Sequence, residues 1–265
     1  MNLFIHYLEL SGLPTAIEKI TVSSLRKYIS YLGDECKFKA TTVNRKINSL
    51  RSYFKFLLSQ EYLDKNPAAA VTAPKKPERI PIYLKENELK RLLETPEKYS
   101  KCNSLRDKTI LMTFIYTGIR RSELLALNWE DIDFGQRIIV VRKGKGNKQR
   151  IIPMQDELQE VLWNYLQSRL PLKDNCVFLS EENNRLSVTA LQQMFVRYLK
   201  LSGLADKGFT IHKLRHSFAS LLIKKEVDLI TIQELMGHSD LNSTKIYTHI
   251  NTEHKRKQID KLNIL

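Results

Sequence analysis

Read from the amino terminus, apolar side chains return every three or four positions. Leu3, Ile5, Tyr7 and Leu8 form one run, Leu25, Tyr28, Ile29 and Leu32 a second, and Val43, Ile47, Leu50, Phe54 and Leu57 a third. That spacing predicts helices with one buried face. The third run is the most regular, and Thr41 or Thr42 stands where a cap is wanted. The periodicity stops at TAPKKPERIP, residues 72–81, whose prolines and basic side chains predict an extended linker. Beyond it, SLRDKTILMTFIYTG predicts a buried helix closed by Gly118, and RRSELLALNW a second helix. The period then changes from about 3.6 to 2. RIIVVRKGKGNKQRIIPM, residues 137–154, has two β-branched runs around Gly144 and Gly146, which predicts a β-hairpin with a basic tip. Helical patterns resume at 155–170, 188–202, 211–225 and 228–236. The expectation is a mainly α protein with a small β-hairpin or sheet, in the α+β class. It has a helical domain over 1–72, a basic linker over 73–81 and a second domain over 82–265. No internal repeat or low-complexity tract interrupts it.

Composition narrows the partners. The chain has 265 residues, 42% of them hydrophobic, enough for a real apolar core. No apolar run nears the ~20 residues that span a bilayer. The opening MNLFIHYLEL lacks the basic head of a signal peptide. Cys36, Cys102 and Cys176 are odd in number, far apart and never in a CxxC pair. They argue against a disulfide framework or a zinc site and for a reducing compartment, and the expected localisation is cytoplasmic. Lys and Arg number 43 against 29 Asp and Glu, a formal net charge of +14. An excess of that size calls for a polyanion, and nucleic acid is the commonest. An anionic membrane surface is the rival, but no basic amphipathic helix is segregated at a terminus.

Four stretches carry chemistry. In IHKLRHSFASLL, His212 and Arg215 are three apart and share a helix face, with Leu214, Phe218, Leu221 and Leu222 toward the core. In TGIRRSELLAL, Arg120 and Arg121 follow a helix-ending glycine, so one of them projects from a fixed corner. Glu123 pairs with either, or orients the inward one. The hairpin tip supplies Lys143, Lys145, Lys148 and Arg150, as phosphate contacts or, for a lysine held in a groove, a proton donor. Last, GHSDLNSTKIYTHI holds His238 and Tyr247. A free phenol has a pKa of about 10 and attacks poorly at neutral pH. Cations that stabilise the phenolate and the attacked phosphodiester change that. Each stretch alone also fits a solvated polar face, and no HExxH, EF-hand or Walker motif accompanies them.

Taken in order, Arg, Lys, His-x-x-Arg, His and Tyr in a basic chain resemble the tyrosine recombinase (phage integrase) family, with the look of short Xer-type enzymes. TGIRRSELLAL, GKGNKQRIIPM, HKLRHSFASLL and ELMGHSDLNSTKIYTHI carry the resemblance, which runs through nearly all of 80–255. TTVNRKINSLRSYFKFLLSQEYLDKNPA resembles the family's core-binding domain. The resemblance implies a site-specific recombinase that needs neither metal nor ATP. Arg120 and Arg215 would clamp the scissile phosphate, and Lys145, or else Lys148, would protonate the leaving 5′-hydroxyl. His212 pairs with Arg215, His238 bonds the phosphate or its surroundings, and Tyr247 forms a 3′-phosphotyrosyl link.

It also implies a dimer on each double-stranded DNA site and a tetramer that exchanges strands through a Holliday junction. The tail TEHKRKQIDKLNIL would dock on a neighbouring protomer, and an accessory protein or second recombinase can take part. The front helix bearing Thr41, Thr42, Asn44, Arg45, Arg51 and Lys55 would lie in a major groove. Lys75, Lys76 and Arg79 of the linker would cross the DNA backbone, closing a two-domain clamp, with Arg121, Lys143, Lys148 and Arg150 adding contacts. Xer-type relatives carry a further helix ahead of MNLFIHYLEL, so the front domain is expected to be one helix short. A nicking-closing enzyme of the type IB topoisomerase kind, or a silent DNA-binding module, would share these residues.

Overall fold

The computed structural model describes residues 2–75, 82–142 and 149–237. The chain divides into two compact units, Met1–Arg79 and Ile80–Leu265. Among the described residues no helix is long and apolar enough to cross a membrane.

The first unit packs α1 (Asn2–Leu10), α2 (Val22–Asp34) and α3 (Ala40–Ser59) around one core. A capping box starts α2: the Thr21 hydroxyl accepts from the Ser24 amide, and Ser24 Oγ accepts from the Thr21 amide. Leu25, Tyr28 and Leu32 of α2 meet Val43, Ile47, Leu50, Phe54 and Leu57 of α3, as their spacing predicts. In α1 the inward residues are Phe4, Tyr7 and Leu8, while Ile5 is 42% exposed. The Ile5 expectation is corrected by the helical period: four residues separate Phe4 from Leu8, and Ile5 falls outside that stripe. Helix α3 begins at Ala40 behind Lys39 with no side-chain cap, so Thr41 and Thr42 lie in its first turn instead of capping it. The chain then returns along α3. Asn44 Nδ2 donates to the Pro74 carbonyl at 2.9 Å, and Arg51 donates to the Val71 carbonyl.

The second unit is built on α5 (Ser104–Thr117), which is buried almost all round and packs against α4 (Glu86–Tyr99), α7 (Asp156–Ser168) and α9 (Ile211–Lys224). Its buried threonines satisfy their hydroxyls on their own helix. Thr109 Oγ1 donates to the Leu105 carbonyl at 2.6 Å, and Thr113 Oγ1 to that of Thr109 at 2.7 Å. Buried Asp107 accepts from the Tyr198 hydroxyl at 2.6 Å and from Arg106 Nε at 2.8 Å, tying α5 to α8 (Val188–Leu201). The hairpin is present as β2 (Ile138–Val141) and β3 (Arg150–Pro153), with Ile139 opposite Ile152 and Val141 opposite Arg150. A third strand, β1 (Ile132–Asp133), pairs antiparallel with β2. At two residues it is too short to show an alternation. Short α6 (Arg121–Ala126) precedes the sheet, and α10 (Leu229–Met236) packs on α9 through Phe218, Ala219, Ile232 and Met236.

Two glycines close helices here. Gly118 ends α5 at φ +58° and Gly237 ends α10 at φ +60°, both in the left-handed region that glycine enters without strain. Gly118 has a second reason to lack a side chain. A Cβ there would sit 2.3 Å from Cδ1 of the Phe218 ring. Gly118→Ala should therefore cost about 3 kcal/mol, from left-handed strain and overpacking together. Gly208→Ala, at φ +65° with open space around it, should cost about 1 kcal/mol, the strain alone. Urea unfolding of the two variants checks the difference.

Candidate active site

At the last turn of α10, three of the candidate residues of the second unit converge. A helix C-terminus leaves its final carbonyls without intrahelical donors. Here arginines from three elements supply them. Arg120, at the start of α6, donates from Nη2 to the Gly237 carbonyl at 2.7 Å. Arg215 of α9 donates from Nη2 to the Met236 carbonyl. Arg150, the first residue of β3, donates from Nε to the Leu235 carbonyl at 3.0 Å. Arg215 also spans to the end of α5, donating from Nη1 to the Gly118 carbonyl at 2.5 Å.

Glu123 is the anion at the centre. Its Oε1 accepts from Arg120 Nη1 at 2.7 Å and Arg150 Nη1 at 2.9 Å. Its Oε2 accepts from the Arg120 amide at 2.8 Å and Arg150 Nη2 at 2.7 Å. Burial alone would push this carboxyl up, but the hydrogen bonds from Arg150 and Arg120 outweigh it and hold the pKa down to about 2. Among the described residues of the cluster, three guanidinium groups face one carboxylate, an excess of two positive charges. Arg120 keeps 22% of its side chain exposed, and Arg215 is almost covered at 8%. Such a fixed, electropositive corner suits a phosphate, whose oxygens match the guanidinium fork.

His212 lies one turn before Arg215 on α9, near the surface. Partial burial lowers its pKa, and the charges of Arg121 and Arg215 lower it further. It is therefore neutral at pH 7, with one ring nitrogen able to accept a proton. His216, one turn further on, is pushed down to about 4, chiefly by burial and then by Lys213, Arg215 and His212.

Of the six residues expected to do chemistry, Arg120, His212 and Arg215 stand together in this region, while Lys145, His238 and Tyr247 lie outside the described residues. Lys76, Arg79, Lys143 and Lys148 of the DNA-contact set lie outside them too. Thr41, Arg45 and Lys55 are exposed on α3, Thr42 is half-buried, and Lys75 is exposed. Asn44 and Arg51 do not join that face. Asn44 is buried, and both side chains hold the returning segment, so neither projects toward a groove. Arg121 is half-exposed and reaches Gln192 at 3.4 Å, whereas Glu123 pairs with Arg120 and Arg150 and not with Arg121. Arg150 departs most from expectation. Its side chain is 9% exposed and turned inward, away from the hairpin surface assigned to it. The signal was in the strand alternation: Arg150 shares a face with Ile152, which is core.

The chain matches the model of the phage integrase family over residues 83–254, and that of the phage integrase N-terminal SAM-like domain over residues 1–61. It is 37% identical to the tyrosine recombinase XerC of Thermodesulfovibrio yellowstonii over 252 residues, 92% of this chain and 82% of that one. It is 35% identical to the tyrosine recombinase XerA of Pyrococcus horikoshii, covering 99% of this chain and 93% of that one. Among solved structures it resembles the XerH site-specific recombinase bound to a palindromic difH substrate in a post-cleavage complex. The TM-score is 0.77 at 25% identity, over 96% of this chain and 76% of that one.

The depressed pKa of Glu123 has a stability consequence with a definite sign. The unfolded carboxyl titrates near its ordinary value of 4.5 and the folded one near 2. Its contribution is thus present above about pH 4.5 and is lost as pH falls toward 2. Linkage puts it at roughly 3 kcal/mol. Thermal unfolding of wild type and Glu123→Gln between pH 2 and 7 should show the acid slope shallower in the variant.

Proposed function

This chain belongs to the phage integrase family of tyrosine recombinases, and from that premise we propose how its residues divide the chemistry. The activity is site-specific recombination of DNA. Residues 1–72 form the core-binding domain, 73–81 the linker and 82–265 the catalytic domain. Arg120 and Arg215 clamp the non-bridging oxygens of the scissile phosphate. The phenol oxygen of Tyr247 attacks phosphorus and gives its proton to His212, which is neutral at pH 7 for the reasons above. The bond from phosphorus to the 5′-oxygen breaks, and that oxygen takes a proton from Lys145. His238 donates a hydrogen bond to the phosphate. The phosphodiester is kept as a 3′-phosphotyrosyl link, so no ATP is consumed. A 5′-hydroxyl from a partner duplex reverses the step, by way of a Holliday junction.

The observation that carries this reading is the arginine cluster. Two arginines from different elements are locked on the end of α10, with positive charge in excess, and the chain that follows α10 holds His238 and Tyr247. Preorganised donors of this kind stabilise the charge that develops on a pentacovalent phosphorus without having to reorganise. Dimers on each site and tetramers in the synapse are the corresponding assembly, on nucleoid DNA in the cytoplasm. Thr41, Arg45 and Lys55 of α3, with Lys75, provide exposed contacts to the duplex.

The test uses duplexes enriched by binding from a random pool, nicked near the selected sequence so that cleavage is trapped. Wild type should yield a covalent protein–DNA adduct on a denaturing gel. Tyr247→Phe should bind the same DNA and yield none. Arg215→Ala should slow adduct formation on the order of 10²- to 10³-fold. Tight binding by wild type with no adduct on any enriched duplex would sink the nucleophile assignment.

A further inference from the structure

We propose that Arg150 is a positioning residue for Arg120, acting through Glu123, and makes no contact with DNA. The proposal rests on the recombinase reading above. Sequence position invites the opposite view, since Arg150 ends a stretch with three lysines in the hairpin. The geometry points inward instead. Both Nη atoms of Arg150 lie on the two Glu123 oxygens, at 2.9 and 2.7 Å, an end-on bidentate pair of parallel bonds. Nε is used on the Leu235 carbonyl. No nitrogen of this side chain is without a protein acceptor, and only 9% of it is exposed.

The electrostatic consequence falls on Arg120. A buried Glu123 paired with Arg120 alone would cancel its charge, and a phosphate would meet a neutral pair. Arg150 balances the carboxylate, so Glu123 can orient Arg120 through two hydrogen bonds while Arg120 retains an effective positive charge. Arg150 also stands beside two stretches that carry the proposed chemistry. It is the first residue of the strand that follows the segment bearing Lys145, and it holds the turn of α10 that leads to His238. Gly237 fits this role. A Cβ there would come within 2.9 Å of Arg150 Cδ, so the arginine stem lies directly on the backbone of the turn.

The experiment compares Arg150→Ala, Glu123→Gln and the double variant with wild type on the nicked duplex. Dissociation constants are measured across a salt series, and single-turnover adduct rates at saturating protein. Arg150→Ala should slow the saturated rate by roughly 100-fold, the cost of an ångström-scale misplacement of a catalytic group. Its affinity should fall far less than its rate, because one weakened clamp is a small part of the contacts to the duplex. In the Glu123→Gln background the same change should slow the rate by less than about 10-fold, because no charge remains to balance. A weaker affinity with a salt slope lower by about one and an unchanged saturated rate would make Arg150 a phosphate contact and overturn the proposal. Fully independent effects of the two substitutions would also overturn it, leaving a general structural role. If Arg150→Ala does not fold, Arg150→Lys takes its place. Lysine keeps the charge but cannot hold both oxygens and the carbonyl, so the saturated rate should still fall, and an unchanged rate counts against the proposal. Absence of adduct from wild type on DNA that it binds would instead count against the recombinase chemistry itself.

Discussion

Buried guanidinium groups capping the end of α10 are the contact on which the second unit depends. Leu235, Met236 and Gly237 present carbonyls that the helix itself cannot satisfy, and Arg150, Arg215 and Arg120 each take one. The negative end of the α10 dipole adds to the attraction, as does that of α5 where Arg215 reaches Gly118. These bonds join α5, α6, β3, α9 and α10 at one place. Leaving any of the three guanidiniums without its acceptors would strand a charge in a largely covered site, which is far costlier than losing an exposed ion pair.

The same arrangement sets the chemical state of the site before any substrate arrives. Long arginine side chains normally surrender considerable rotamer freedom when they bind an anion. Here that freedom is already lost to backbone carbonyls and to Glu123. On the proposed reading, a phosphate entering the corner would meet donors that are fixed and a local charge that is positive, the preorganisation that favours a transition state. The neutral state of His212 is favoured first by its partial burial, and the charges of Arg121 and Arg215 add to it by disfavouring another positive charge beside them.

Most of the helices were legible along the chain because helical and strand periods are local properties, but α4 (Glu86–Tyr99) was not anticipated. The runs around Leu25–Leu32 and Val43–Leu57, the Gly118 terminus and the hairpin all follow from residues a few positions apart. The misplacements have two causes. Asn44 and Arg51 sit at the edge of the α3 stripe, where spacing alone cannot show that residues 71–74 come back to cover them. Arg150 sits among lysines, and charge type masked the alternation that puts it on the inner face of β3.

By itself the amino-acid sequence determined the chemistry that is present: which side chains exist, in what order, and that Arg120, His212 and Arg215 would be delivered at helix starts and on helix faces. Only the tertiary structure decided which anion binds the inward cations and which backbone carbonyls they reach. Arg120 and the Gly237 carbonyl are 117 positions apart, and Arg150 and Glu123 are 27 apart. No periodicity spans such intervals. Hydrogen-bond partners of buried charges are chosen by packing in three dimensions, where the need to satisfy each charge overrides the surface position that its residue type would otherwise favour.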